Sequence, residues 1–173
     1  MAETFESMLT GGHPNSLGRT IEVVDQVLAD RHKFADLYQT YFSKDEIVRL
    51  RVSNGVRRVT NEHPEWLMDF MDGLQSDVAA IDQASTQWTL AILFDMTRHL
   101  QSPAQIERSL EIMKNNLAHH QDWIVLNNSM KVLFDWRDVD PGLGAWLKPH
   151  LQRLTKDTRK SVATRAQKLL AKL

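Results

Sequence analysis

The chain contains no cysteine. Disulfides, thiolate zinc sites and cysteine nucleophiles are therefore excluded, and the composition suits a reducing compartment. Long apolar runs are missing as well. The longest, residues 90–94, is far short of the ~20 residues that cross a bilayer. The first eight residues carry Glu3 and Glu6 and no basic residue, unlike the positive start and apolar core of a secretory leader. A soluble, cytoplasmic protein is expected, with no membrane partner. No stretch alternates apolar and polar residues between turn signals, so no sheet is expected. Lys and Arg are absent from residues 59–97, a gap of 39 positions.

What is present is ordinary in bulk and uneven in placement. The 173 residues are 42% hydrophobic and 25% charged with net charge −1, which fits one domain with a sizeable core. Within the gap lacking Lys and Arg lie seven acidic residues, whereas residues 148–173 hold eight basic ones against Asp157 alone. Such blocks are either partner surfaces or solvated outer faces.

Three prolines, Pro64, Pro103 and Pro141, stand 39 and 38 residues apart, and each opens an amphipathic helical pattern. Residues 44–59 and 158–173 superimpose at an offset of 114, three times 38, placing Val48 on Val162 and Arg51 on Arg165. A period of this length is the mark of stacked repeats. Apolar stripes at helical spacing predict helices near 17–29, 33–42, 44–61, 64–75, 83–99, 103–118, 122–137, 141–155 and 158–172, with a short one near 3–9. Ser43 with Glu46 and Ser102 with Gln105 read as capping boxes. Asp82, Asp122, Asp140 and Asp157 read as further caps. Residues 88–96 are apolar nearly all round, which places that helix at the centre of the array. Trp123 is expected in the core, and Pro149 is expected to kink its helix.

Pairs of helices at this spacing, with proline in the first and Asp45-Glu46-Ile47-Val48-Arg49 opening a second, resemble HEAT repeats. The resemblance covers roughly residues 33–173. It implies an all-α fold, an α-solenoid of antiparallel helical hairpins with about four HEAT-like repeats. The whole chain, 1–173, then forms one domain, in which 1–32 supply N-terminal helices and a glycine-rich loop. HEAT proteins serve mostly as binding scaffolds, so the resemblance leaves the partner open.

Catalytic and metal motifs are wanting. Residues 10–20 form the one glycine-rich stretch, yet Gly12 and Gly18 enclose five residues where a phosphate loop needs four, and Arg19 stands where lysine belongs. That loop is either a plain turn or an anion site presenting His13, Asn15, Ser16 and Arg19. His119 and His120 are adjacent and point apart on a helix; no histidine has a partner at metal-ligand spacing. No metal, cofactor or enzymatic activity is expected.

The strongest lead is a polar stripe beside the apolar one. Arg51, Asn54 and Arg58 share a helix flank, and Arg165 and Lys168 fall in the same phase three periods later. Asn127, Asn128 and Lys131 join them on an intervening helix. In hairpin arrays the second helices line the inner surface, where partners dock, while the competing reading is plain solvent exposure. The expected function is a monomeric scaffold that docks a protein or peptide there. The alternative is a nucleic-acid binder of the DNA-glycosylase HEAT-like type, which the gap in positive charge disfavours.

Overall fold

The structure, a computed structural model, describes residues 3–173. Met1 and Ala2, which the expected N-terminal segment includes, lie outside the described residues. Among the described residues the regular elements are all helical, with no strand. They are α1 (Phe5–Leu9), α2 (Thr20–Ala29), α3 (Lys33–Gln39), α4 (Glu46–Glu62), α5 (Pro64–Leu67), α6 (Met71–Gly73), α7 (Ala84–Thr97), α8 (Pro103–His119), α9 (Trp123–Asp135), α10 (Leu143–Leu154) and α11 (Lys160–Leu170).

Helix starts follow local chemistry. Ser102 and Gln105 form the expected reciprocal box: the Ser102 hydroxyl accepts from the Gln105 amide at 3.2 Å, and the Gln105 side chain accepts from the Ser102 amide at 3.0 Å. Asp122 accepts from the amides of Ile124 and Val125 at 2.8 and 3.1 Å. Elsewhere the caps differ from expectation. Ser43 accepts from Asp45 N, and Asp45, not Ser43, caps α4 through Ile47 N at 2.8 Å. Asp140 and Asp157 likewise accept from the amides two residues on, at Gly142 and Arg159. Each makes a local turn one step ahead of its helix, an alternative always open to short polar side chains. Asp82 caps nothing, because Gln83 occupies the N-cap of α7.

The stretch expected as one helix over 64–75 is irregular. It tightens to a 3₁₀ turn at Met68–Phe70, resumes as α6 and loosens into a π turn at Leu74–Val78. Phe70 has left helical geometry at φ −114° and ψ 2°. Its ring packs 5.4 Å from that of Phe34 and 4.7 Å from that of Tyr38. Long-range aromatic packing overrides the local helical preference there, as tertiary context often does. By contrast α10 runs on through Pro149 without interruption.

The longer helices pack in order: α2 against α4, α4 against α7, α7 against α9 and α9 against α11. The last four run in the same direction. Near their N-termini α7 meets α4 and α9, and Trp136 after α9 meets Asp95 near the end of α7. Helix α11 meets α9 near both ends, through Ser161 with Asn127 and Lys172 with Arg137. Gln83, just before α7, donates to the Glu46 carbonyl at the start of α4. Asn128 in the second turn of α9 donates to the Trp88 carbonyl in the second turn of α7 at 3.1 Å. Arg49 binds this junction, donating to the Ser43 carbonyl and the Gln83 side-chain oxygen at 2.6 Å each. The central position expected for the all-apolar helix is where α7 sits, touching α4, α5, α8 and α9.

One apolar cluster runs from Phe5 to Ala166 and includes the wholly buried stripe Val48, Val52, Val56 and Val59. Burial of each such side chain contributes about 1.5–3 kcal/mol relative to exposure. Trp123, expected in this core, is 48% exposed at the start of α9, and Trp136 is the fully buried tryptophan instead. Trp136 follows α9 in a 3₁₀ turn, where its Nε1 donates to Asp95 at 2.8 Å.

Candidate partner-binding face

Because α4, α7, α9 and α11 are parallel and side by side, equivalent positions along them form rows. The ninth residues are Asn54, Ile92, Lys131 and Lys168. The fifth residues of α4 and α7 are Leu50 and Trp88, the thirteenth Arg58 and Met96. All of these are half-buried or exposed, whereas the valine stripe on α4 is fully enclosed. Spacing of four residues keeps Trp88, Ile92 and Met96 on one side of α7. The surface is therefore apolar at its centre, with Leu50 extending it onto α4, and otherwise polar on both flanks.

Several residues expected on this surface are there. Asn54 accepts a 2.7 Å hydrogen bond from Arg58 Nε, which orders the arginine along α4. Asn128 spends its amide group on the Trp88 carbonyl, so its oxygen remains available. Lys131 pairs with Asp135 one turn on, at 2.5 Å. Arg165 is half-buried and Lys168 exposed. Among the described residues neither has a carboxylate partner, nor does Arg58 or its neighbour Arg57.

Two expected members are not on it. Asn127 is 6% exposed; its amide group lies 3.5 Å from the Ser161 hydroxyl, and its oxygen is buried without a partner. The larger correction concerns Arg51, only 2% exposed. Its guanidinium is enclosed by the glycine-rich loop and donates to four carbonyls: Leu9 at 2.5 Å, Gly11 at 2.6 Å, Ser16 at 3.1 Å and His13 at 3.2 Å. No carboxylate among the described residues faces it. Five N–H groups in a planar fork suit this arrangement, as lysine would not.

The loop corrects the anion-site expectation for the same reason. Its carbonyls rather than its amides converge, and they converge on a cation. Gly11, Gly12 and Gly18 make this possible with φ of 76°, 75° and 53°, angles that cost other residues steric strain. Ser16 accepts from Gly18 N at 2.9 Å, and the His13 ring accepts from Asn15 N at 3.2 Å. Arg19 pairs with Glu3 and Glu22 at 2.7 Å each. That contact holds the Glu22 carboxyl below its ordinary range.

Sequence reasoning missed Arg57, Ile92 and Met96 as surface residues. A stripe of apolar residues on the central helix reads as core whether or not a neighbour covers it. The ninth-residue row follows from the 38-residue period, but only once helix starts are known to within one residue.

Open concavities lie elsewhere on the surface. One of about 860 Å³ lies between α1 and α3, where Glu6 and Asp36 face Lys33 and Lys44. Among the described residues no three His, Asp or Glu side chains converge as a metal site would require, and no helix is long and apolar enough to cross a membrane. Compared with family models, curated proteins and solved structures, the chain matches none.

Proposed function

We propose that the protein is a HEAT-like α-solenoid serving as a non-enzymatic scaffold, with a protein or peptide docked across α4, α7, α9 and α11. The observation that carries this reading is the apolar strip Trp88, Ile92 and Met96, left partly exposed on the central helix. A row of partly exposed apolar side chains on a central helix is a usual mark of a docking surface. The row of parallel second helices, tied by bonds reaching back about one period, supports the solenoid reading. Those bonds include Asn128 to Trp88 and Gln83 to Glu46. In such arrays the second helices line the inner surface.

Nucleic acid fits less well. A duplex needs a continuous positive track, and α7 carries no Lys or Arg while contributing Asp95. The scaffold acts as a monomer in the cytoplasm and needs no cofactor.

Affinity capture tests the proposal, with wild-type protein compared with I92E and with the distant surface variant E107K. Partners retained by the wild type and E107K but lost with I92E, at unchanged melting temperature, support the face. Equal capture by all three contradicts it.

A further inference from the structure

The charge along this face specifies its occupant more narrowly. From α4 to α11 the surface runs cationic, apolar, cationic. Arg57 and Arg58 stand on α4 with no carboxylate partner among the described residues. Trp88, Ile92 and Met96 occupy α7. On α9, Lys131 is satisfied by Asp135, and on α11 Arg165 and Lys168 are again without a carboxylate. The nearest acid on α7, Asp95, is engaged by the Trp136 indole.

Resting on the scaffold reading above, we propose that the occupant is an extended peptide segment with one bulky apolar side chain between two acidic ones. The apolar side chain sits on Trp88 and Ile92. One carboxylate meets Arg57 and Arg58, and the other meets Arg165 and Lys168. Packed helices stand about 10 Å apart, so the acids lie about 10 Å to one side of the anchor and about 20 Å to the other. At about 3.3 Å per residue these spans are about three and six residues. Guanidinium–carboxylate pairs supply direction and specificity there. The Asn54 amide group, on the α4 flank, and the Asn128 oxygen, between the anchor and the α11 flank, are both uncommitted and can hold peptide backbone.

A single-stranded nucleic acid is the rival occupant, since a base stacks well on tryptophan. Its charge recurs at every nucleotide, however, so several phosphates would cross α7, where there is no cation to meet them. The peptide satisfies the pattern because its charge is absent where the protein's is absent.

The test is selection of a displayed library of random 16-residue peptides against the wild-type protein and against R58E/K168E. Enrichment of Asp or Glu about three residues on one side of an apolar residue and about six on the other is expected with wild type. Lys or Arg at those same positions is expected with R58E/K168E, at unchanged melting temperature. A selected peptide should lose at least tenfold in affinity to W88A, and oligo-dT should bind more weakly than the peptide. Enrichment without acidic flanks, or tighter binding of oligo-dT, overturns the proposal. If capture still depends on Ile92 while the acidic flanks are missing, the scaffold stands and the peptide class falls. If neither selection nor capture responds to the face, both fall.

Discussion

A Cβ built on Gly18 would stand 2.9 Å from Cζ of Arg51. The loop and the guanidinium are fitted so closely that each restricts the residue type of the other. Gly18 is also at positive φ, so glycine is required there for two separate reasons. Removing Arg51 leaves four carbonyls without their charged donor. Arg51→Ala is expected to cost about 2–3 kcal/mol and to open residues 10–19 to protease. Arg51→Lys should recover little, because a point charge cannot span four acceptors. Gly18→Ala should destabilise alone, yet add less on top of Arg51→Ala, since one of its two clashes is then gone. Chemical unfolding of the two single variants and the double variant measures the coupling; strict additivity would mean the pair is not in contact.

The two tryptophans around α9 should behave oppositely. Trp136→Ala removes a wholly buried ring and leaves Asp95 without its donor, at a cost of about 3–5 kcal/mol. Trp123→Ala trims a ring that is half in solvent and should cost less than about 1 kcal/mol. Urea midpoints at constant slope check both values.

Acid should weaken the junction between α10 and α11 through Asp157. Its carboxylate accepts from the Arg159 side chain at 2.7 and 2.8 Å and from the Arg159 amide at 2.9 Å. The Arg159 side chain, first, and the backbone amide hold its pKa down at about 2, against an ordinary 3.8. A depressed carboxylate stabilises the fold above the unfolded-state value and loses that contribution as pH falls through the folded one. The stability difference between wild type and Asp157→Asn should thus be full at pH 5 and shrink steadily between pH 4 and 2. A constant difference across that window would contradict the assignment.

Much of the fold was legible because its signals are local. Ser102 with Gln105, Asp122 and the valine stripe act within one or two turns, and α8, α9 and α4 lie close to where they were expected. The misreadings involve residues whose role depends on a distant segment. Phe70 breaks its helix for the sake of Phe34 and Tyr38, rings more than thirty positions away. Arg51 has the helical phase of a surface flank, and only the return of residues 9–16 over α4 buries it. Trp123 lies on the apolar stripe of α9, but at its first residue. It is there 48% exposed, so the stripe's phase alone did not decide burial. Asn54, Arg58, Asn128, Lys131 and Lys168 were legible as one surface through the repeat period, whereas its apolar centre was not.

Hydrogen exchange with and without a bound partner or selected peptide tests the central claim most directly. The account predicts added protection in residues 47–61, 88–99, 124–135 and 164–170, with the loop at 10–19 and helices α8 and α10 unchanged. Protection confined to that loop, or to α8 and α10, with the α4–α7–α9–α11 face unchanged, would contradict it.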